Sequence, residues 1–254
     1  MWKETYPVIQ PKHLIDDNRR EANVYALVHE LSSRLEENQI TVVGNGSACV
    51  AGGHSYIIKK GQRFISNSAV ASMGYDLPAA IGACVAQLEQ EGEKKDIILL
   101  TGDGSIQMNL QELQTIIHHH LPIKIFLINN GGYHSIRQTQ KNFFGEPLVG
   151  IGVDSGDLSF PDMKKLSWAY GYPYYSACHN KELAEAIEKT LAVEGPAICE
   201  VFVTTDQNFE PKSSAKRMPD GTLTSPPLED LSPFLPEEEM DANMIIPRIK
   251  PEDV

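Results

Sequence analysis

The chain has 254 residues and a formal net charge of −12, from 34 acidic and 22 basic side chains. This length can bury a substantial core, and it fits one α/β domain of roughly 190 residues with further segments at both ends. The negative charge disfavours nucleic acid or an anionic membrane as a partner. No apolar run approaches the roughly 20 residues that span a bilayer, and no charged-then-apolar leader opens the sequence, so we expect a cytoplasmic protein.

The beginning of the chain divides into a polar arm and a helix. Residues 1–20 are polar and contain Pro7 and Pro11, so we predict an N-terminal linker arm. Apolar residues at helical spacing then predict an amphipathic helix over residues 22–37. Residues 41–43 follow as a strand that runs into a glycine turn.

Two short apolar runs further along the chain each end in a polar tip. Residues 96–101 and 123–128 are bounded by turn residues and rich in isoleucine and leucine, so we predict two buried parallel strands. Asp103 follows the first strand, and Asn130 follows the second. Apolar residues between them recur at helical spacing and predict one helix that begins near Ser105. Because the carboxyl ends of parallel strands open on one edge of the sheet, Asp103 and Asn130 should face one crevice.

The residue types at these tips suit a diphosphate bridged by a metal ion. An Asp carboxylate, an Asn amide oxygen and a backbone carbonyl are hard oxygen ligands of the kind that Mg²⁺ prefers. Gly102 and Gly104 flank Asp103 and would let a diphosphate approach the backbone. A helix that begins near Ser105 would add N–H groups and the positive end of its dipole. An ordinary turn at a strand end is the alternative interpretation.

The rest of the chain continues the alternation of helices and strands. Helices are predicted over residues 161–170 and 181–193, with Asn180 as the N-cap of the second. A strand is predicted over residues 197–204. We therefore predict an α/β fold over residues 21–205, with a doubly wound parallel sheet and helices on both faces.

Proline and charged residues dominate residues 206–254, which include Pro226-Pro227 and an acidic run at 237–239. We predict an irregular C-terminal tail that packs over a surface or a partner. A disordered terminus is the alternative.

The cysteines and one histidine run do not form a metal-binding pattern. The four cysteines are scattered without a Cys-x-x-Cys pair, and each lies in or next to an apolar segment, so they are predicted to be reduced packing residues. Adjacent helix positions point about 100° apart, so His118, His119 and His120 cannot converge on one ion and are predicted to form a solvated helix end. The cysteines are Cys49, Cys84, Cys178 and Cys199.

The spacing of the two polar tips matches a known cofactor signature. Gly102-Asp103-Gly104, a spacer of 24 residues and the pair Asn129-Asn130 resemble the signature of thiamine diphosphate enzymes. The heptapeptide that starts at Gly102 is similar to the acetolactate synthase and pyruvate decarboxylase branch of that family. This resemblance implies two cofactors, thiamine diphosphate and Mg²⁺, and the thiamine diphosphate-binding form of the doubly wound fold.

The resemblance implies a first group of site residues around the diphosphate. Asp103, the Asn130 side chain and the Gly132 carbonyl would bind Mg²⁺, and Tyr133 would cover the phosphates. Further cofactor contacts would come from Ser47, Ala48, Gly102, Gly104 and Ser105. Small residues in a turn, such as those at 47–48, need no ligand to explain them.

A second implied group of residues holds the thiamine itself. Residues 71–83 are similar to the family segment in which a bulky apolar side chain props thiamine in its bent conformation, and Met73 would be that prop. The Ala71 carbonyl would accept a hydrogen bond from the amino group of the aminopyrimidine. Core packing is the alternative role for Met73.

The resemblance covers residues 20–205 and corresponds to one of the three domains of an acetolactate-synthase-like chain. Residues 2–7 look like the linker that would precede this domain. In the family, the glutamate that activates the cofactor comes from a separate pyrimidine-binding domain, and nothing in the sequence resembles that domain. We therefore expect a separate subunit, a split-gene product or a fragment that needs such a partner and forms a homo- or hetero-oligomer.

The resemblance also implies a reaction class. Such an enzyme, a transferase or lyase, would decarboxylate a 2-oxo acid, with pyruvate favoured, and transfer the two-carbon unit to a second carbonyl. Residues 132–140 are more similar to acetolactate-synthase-like proteins than to simple decarboxylases, since Ile136 and Arg137 stand where decarboxylases carry an acid. Arg137 could instead form a surface salt bridge, and His134 is an open candidate for proton transfer.

Two other functions stay open. One is a 2-oxo acid decarboxylase subunit, and the other is a non-catalytic module that binds the cofactor. A nicotinamide-binding domain is disfavoured because no Gly-x-Gly-x-x-Gly motif opens a helix after the first strand. We assign no catalytic residue within the chain.

Overall fold

The structure is a computed structural model that describes residues 2–92 and 95–248. The chain divides into two compact units, Met1–Gln207 and Asn208–Val254. The first unit contains the sheet and the predicted site.

Six parallel strands form the central sheet of the first unit. In chain order they are β1 Ile40–Val43, β2 Arg63–Ser66, β3 Ile97–Gly102, β4 Ile123–Asn129, β5 Tyr174–Ala177 and β6 Ala197–Phe202. Their order across the sheet is β2-β1-β3-β4-β6-β5. Gly102 of β3 pairs with Ile128 of β4, so these two central strands end side by side.

Helices cover both faces of this sheet. The helices of the first unit are α1 Trp2–Thr5, α2 Val24–Arg34, α3 Ser47–Ser55, α4 Asp76–Glu91, α5 Asp103–Ile106, α6 Glu112–His118, α7 His134–Phe143, α8 Met163–Tyr170 and α9 Asn180–Leu191. Buried side chains of α2, α3 and α9 pack in one core, and those of α4, α6 and α8 pack in a second core on the opposite face. This arrangement confirms the predicted doubly wound α/β fold.

Strand β3 shows why the central strands have continuous apolar sequences. Ile98 and Leu100 enter the core of α2, α3 and α9, whereas Ile97 and Leu99 enter the opposite core. Alternate residues of a strand point to opposite faces, and both faces are covered, so the four consecutive residues 97–100 are all apolar.

Two local predictions were wrong. The predicted single helix after β3 is broken into the four-residue α5, a 3₁₀ turn at Gln107–Asn109 and α6, although its start at Asp103 lies near Ser105 as predicted. Within the break, the Asn109 amide donates a hydrogen bond to the Gly74 carbonyl oxygen at 2.5 Å. A polar side chain that bonds backbone elsewhere competes with a continuous helix.

The predicted N-cap of α9 was the second error. Asn180 is the first residue of α9, and His179 occupies the N-cap position. The Asn180 amide instead bonds the N-terminal segment, because Oδ1 accepts from the Asn23 N–H at 2.8 Å and Nδ2 donates to the His13 and Ile15 carbonyl oxygens at 2.9 Å. The predicted linker arm therefore contains a segment that is hydrogen-bonded to the domain.

The cysteine and histidine predictions were correct except at one position. All four cysteines are free; Cys84 and Cys199 are buried and Cys49 is half-buried, but Cys178 is exposed and is not a packing residue. The histidines at 118–120 are exposed at the end of α6, as predicted. Among the described residues, no three His, Cys, Asp or Glu side chains are placed to hold a metal ion.

The second unit contains short elements within the predicted tail. Strands β7 Lys216–Arg217 and β8 Leu223–Thr224 pair antiparallel, and helix α10 spans Glu237–Asn243. The Lys216 ammonium lies 3.7 Å from the Asp230 carboxylate and 5.0 Å from the centroid of the Phe234 ring.

None of the helices in the described ranges is both long and apolar enough to cross a bilayer.

Candidate functional site

A single carboxylate joins the ends of β3 and β4. Asp103 is the first residue after β3, and only 4% of it is exposed. Its Oδ1 accepts from the Gly104 N–H at 2.8 Å, and its Oδ2 accepts from the N–H groups of Asn130 at 3.2 Å and Gly132 at 3.0 Å. The two polar tips that the sequence places on neighbouring strands are therefore in direct contact.

Burial gives this carboxylate an unusual proton affinity. Removal from water raises the pKa of Asp103 to about 6, although the hydrogen bonds from backbone N–H groups act in the opposite direction. Desolvation disfavours the charged form of a carboxylic acid, whereas a nearby cation favours it. A divalent cation beside Asp103 would offset the cost of burying its charge.

The two adjacent asparagines have different environments. Asn129 is committed to the fold, because its Nδ2 donates to Glu200 Oε1 at 2.7 Å and its Oδ1 accepts from the Gly131 N–H at 3.1 Å. The Nδ2 of Asn130 donates to Ser47 Oγ at 2.9 Å. The Oδ1 of Asn130 is buried and has no hydrogen-bond partner within the described part of the chain.

A buried polar atom without a partner requires an explanation. An amide oxygen next to a buried carboxylate is the kind of donor set that Mg²⁺ takes from a protein, with its other positions filled by water or phosphate oxygens. The residues present therefore fit a magnesium ion bound at Asp103 and Asn130.

The turn after Asn130 approaches a second backbone segment closely. Gly132 has φ +146°, and a Cβ on it would lie 2.0 Å from the Ile151 carbonyl oxygen, so no other residue fits. A Cβ on Gly104 would lie 2.4 Å from the ring of Tyr133. Tyr133 thus covers Gly104, beside the Asp103 carboxylate.

The N-terminus of α3 supplies the next predicted residues. Ser47 and Ala48 are the first two residues of this nine-residue helix, and both are buried. The first intrahelical bond is donated by Val50 to Gly46, so the N–H groups of the first turn have no acceptor within the helix. Since Ser47 also contacts Asn130, this helix N-terminus lies beside the polar tip of β4.

The predicted thiamine-contacting segment is anchored to the same strand end. The Gly74 N–H donates to Ser105 Oγ at 2.9 Å, and the Gly74 carbonyl accepts from Asn109. Met73 is half-buried, and Ala71 is exposed with φ +54°. A non-glycine residue in this left-handed region costs on the order of 1–3 kcal/mol, and such residues cluster at binding sites.

Gly102, the remaining predicted site residue, has a structural role. Gly102 is the last residue of β3 and pairs with Ile128 of β4, so it brings Asp103 to the edge of the sheet. The structure therefore brings Ser47, Gly104, Asn130, Gly132 and Tyr133 around Asp103, and it brings Ser105 to the segment that contains Met73.

The sequence interpretation missed two buried charges near the site. Asp76 opens α4 with no exposed surface, and it accepts hydrogen bonds from the Thr101 hydroxyl and, at 3.1 Å, from the Leu77 N–H. Arg137 forms a salt bridge with Asp154, which is the alternative that the sequence left open, but Arg137 is 1% exposed and therefore does not lie on the surface. Asp76 lies in a segment already singled out by its sequence, whereas nothing local in the sequence marks Arg137 as buried.

Comparison with protein families gives a direct match over the site. The family model described as "Thiamine pyrophosphate enzyme, C-terminal TPP binding domain" matches residues 44–201, which include both strand tips and the N-terminus of α3. This chain belongs to that family. Thiamine pyrophosphate is another name for thiamine diphosphate, so the predicted family is confirmed.

The relatives of this thiamine pyrophosphate domain are acetolactate synthases. An acetolactate synthase large subunit of Pyropia yezoensis is 30% identical over 212 residues, covering 83% of this chain and 33% of the relative. That of Cyanidium caldarium is 38% identical over 149 residues, covering 59% of this chain and 24% of the relative. The chloroplastic acetolactate synthase 1 of Nicotiana tabacum is 32% identical over 187 residues, covering 72% and 27%. The chain thus spans a third or less of the length of these relatives.

Proposed function

We propose that the chain binds thiamine diphosphate and Mg²⁺ as a domain or subunit of an acetolactate-synthase-like enzyme. The assembled enzyme would decarboxylate a 2-oxo acid, pyruvate above all, and transfer the two-carbon unit to a second carbonyl. One observation carries the proposal: the buried Oδ1 of Asn130, which has no described partner, lies in a turn bonded directly to the buried Asp103 carboxylate. The sequence similarity to acetolactate synthases supports the reaction class.

The metal and the diphosphate would use different groups of the same edge. Asp103, Asn130 Oδ1 and the Gly132 carbonyl would hold Mg²⁺. The first-turn N–H groups of α3, at Ser47 and Ala48, would hold the diphosphate because helix N-termini attract anions. When bound, thiamine diphosphate supplies an electron sink that allows a bond next to a keto carbon to break.

The chain's own residues would position the cofactor and limit access of water. The Tyr133 ring over Gly104 would shield the diphosphate. Ser105 and Asn109 would fix the segment from Ala71 to Gly74 through the two bonds to Gly74, and this segment would hold the thiamine. Rigid support of this kind reduces the entropic cost of placing a substrate against a cofactor.

His134 is not suited to the proton transfer considered for it. Its Nδ1 lies 3.4 Å from Arg137 Nη1, which can only donate, so Nε2 carries the hydrogen that is donated to the Gln207 carbonyl oxygen at 2.8 Å. Burial lowers the pKa of His134, which keeps it neutral. Both ring nitrogens therefore have structural roles.

A partner domain would complete the enzyme. The activating glutamate is proposed to come from a pyrimidine-binding domain, on the same or another chain, within a homo- or hetero-oligomer. A cytoplasmic location also stays a prediction. If the partner directs the two-carbon unit to a proton instead of a carbonyl, the chain would serve a 2-oxo acid decarboxylase.

Calorimetric titration of the full chain with thiamine diphosphate, with and without Mg²⁺, tests the proposed site. We expect binding that depends on Mg²⁺ and is lost in Asp103→Ala. Asp162→Ala is the matched control, because Asp162 is an exposed N-cap of α8 that accepts a hydrogen bond from the Lys165 N–H. Equal binding by wild type and Asp103→Ala would contradict the proposal.

Product analysis tests the reaction class. The chain is mixed with a pyrimidine-binding domain from an acetolactate synthase and supplied with pyruvate. Formation of acetolactate would support the proposed transfer, and formation of acetaldehyde would support the decarboxylase alternative. Cofactor binding without pyruvate consumption in the complete assembly would favour a non-catalytic module.

A further inference from the structure

The turn at 130–133 is supported by a second backbone segment that the sequence does not mark. Gly132 pairs with Gly152 in an antiparallel bridge. The Tyr133 N–H donates to the Ile151 carbonyl at 2.6 Å, and the Val153 N–H donates to the Gly131 carbonyl at 3.1 Å. The position of the turn is therefore tied to residues 151–153.

Arg137 connects these two segments through its guanidinium. Nε and Nη2 donate to the two carboxylate oxygens of Asp154 at 2.8 and 2.9 Å, a bidentate pair. Nη2 also donates to the Gly131 carbonyl oxygen at 3.3 Å. The rigid fork of a guanidinium fixes direction as well as charge, which a lysine ammonium does not.

The guanidinium is also held from its other side. Its Nη1 contacts His134, which bonds the Gln207 carbonyl, and the Gln207 side chain accepts from the Asn23 amide at 2.8 Å. Arg137 is 1% exposed, whereas the Asp154 side chain is 41% exposed. A fully buried arginine in a network of fixed partners has little freedom to move, so it can hold the turn in place.

We propose that Arg137 is a positioning residue for the magnesium site. It fixes the Gly131 carbonyl, and through it the Asn130 side chain and the Gly132 backbone that hold the metal. This inference rests on the proposed function of the turn. Partners that orient metal ligands usually contribute roughly 10–100-fold to metal affinity.

The test measures how much Mg²⁺ the full chain needs for thiamine diphosphate binding. Titrations at a series of Mg²⁺ concentrations give the half-saturating Mg²⁺ for wild type, Arg137→Met, Arg137→Lys and Asp154→Asn. We expect Arg137→Met to raise the half-saturating Mg²⁺ concentration roughly 10–100-fold. Arg137→Lys and Asp154→Asn should each raise this concentration less than Arg137→Met does. At saturating Mg²⁺ the affinity for thiamine diphosphate should stay close to that of wild type.

Arg34→Met is the matched control, because Arg34 on α2 also bonds two partners, Glu30 and Glu188, but contacts neither segment of the turn. If Arg137→Met does not fold, as judged by circular dichroism, Asp154→Asn carries the test because Asp154 is partly exposed. An unchanged half-saturating Mg²⁺ in the folded variants would overturn the inference, as would a loss of affinity that saturating Mg²⁺ does not restore. Failure of wild type to bind thiamine diphosphate with Mg²⁺ would instead overturn the proposed function, and the inference with it.

Discussion

A charged side chain is buried at each end of the parallel strands, at the amino edge where the strands begin and at the carboxyl edge where they end. The two side chains have different kinds of partner. At the amino edge, Lys124 near the start of β4 has no exposed side-chain surface, donates to the Val193 and Gly195 carbonyl oxygens, and lies 3.5 Å from the Asp96 carboxylate. At the carboxyl edge, the hydrogen bonds described for Asp103 come from backbone N–H groups.

This difference supports the proposal that the carboxyl edge holds a ligand. The charge of Lys124 is balanced by a carboxylate and by two carbonyl dipoles, so the amino edge is complete within the chain. The charge of Asp103 is only solvated by dipoles, and the adjacent Asn130 Oδ1 has no described partner. A cation would satisfy both groups at once. The comparison therefore separates a buried charge that is satisfied within the fold from one that we propose serves binding.

The largest expected effect is the loss of stability when Lys124 at the amino edge is substituted. Lys124→Met should lower the free energy of unfolding by about 3 kcal/mol, because it removes a fully buried cation from two half-buried carbonyl oxygens and from Asp96. The affinity for thiamine diphosphate at saturating Mg²⁺ should not change. Urea denaturation and calorimetry on the same sample measure the two quantities. A weaker affinity in a chain of unchanged stability would contradict the assignment of a structural role to this edge.

The adjacent asparagines sharpen the comparison within the carboxyl edge. Asn130→Ala should raise the half-saturating Mg²⁺ for thiamine diphosphate binding roughly 10–100-fold, since it removes a proposed ligand. Its cost in stability should be only about 1 kcal/mol, for one hydrogen bond to Ser47. Asn129→Ala should do the reverse and mainly lower stability, because both ends of the Asn129 amide bond the fold. An equal half-saturating Mg²⁺ in Asn130→Ala and Asn129→Ala would contradict the proposed difference between the two asparagines.

The pH dependence of binding tests the charge of Asp103. Because burial raises the pKa of Asp103 to about 6, only about a tenth of the group is ionised at pH 5, and Mg²⁺-dependent affinity should fall roughly tenfold between pH 7.5 and pH 5. Calorimetry in two buffers should detect proton release on binding near pH 6. Binding that is equally strong at both pH values would show that this carboxylate is not the ligand.

The same pKa predicts the stability of the metal-free chain. The folded-state pKa lies above the unfolded value, so protonated Asp103 contributes stability below the unfolded pKa, and this contribution is lost as pH rises through about 6. Burial lowers the pKa of His134. The stability that neutral His134 contributes is therefore lost as pH falls, which is opposite to the behaviour of Asp103. Unfolding curves of Asp103→Ala separate the two, because this variant lacks the Asp103 contribution and retains that of His134.

The smallest effect concerns the contact between Tyr133 and Gly104. Gly104→Ala would place a methyl group 2.4 Å from the ring and displace it, so we expect thiamine diphosphate affinity to fall by about threefold, a change of less than 1 kcal/mol. Gly53→Ala on α3 is the matched control, because its Cβ would meet no atom within 4 Å. Gly104→Ala combined with Tyr133→Ala should show no further loss over Tyr133→Ala alone. Additive losses would mean that the two residues act separately.

The sequence predicts the central strands and the contact between Asp103 and the turn at Asn130 because both depend on local patterns. β3 and β4 are buried on both faces and therefore appear as continuous apolar runs. The edge strands β2 and β5 were not predicted. They are four residues long and mostly half-buried or exposed, so they lack such a run. The broken helix after β3 depends on the bond from Asn109 to Gly74, which lies 35 residues away in the sequence.

The sequence by itself determined the alternation of strands and helices, the convergence of Asp103 and Asn130, and the family to which the chain belongs. These features follow from residue periodicity and from the fixed geometry of a parallel sheet. Only the tertiary structure decided which of the two asparagines is committed to the fold, that Arg137 is buried, and that His134 has no free nitrogen. Those outcomes depend on partners such as Glu200, Asp154 and Gln207, which approach from distant parts of the chain and leave no local pattern.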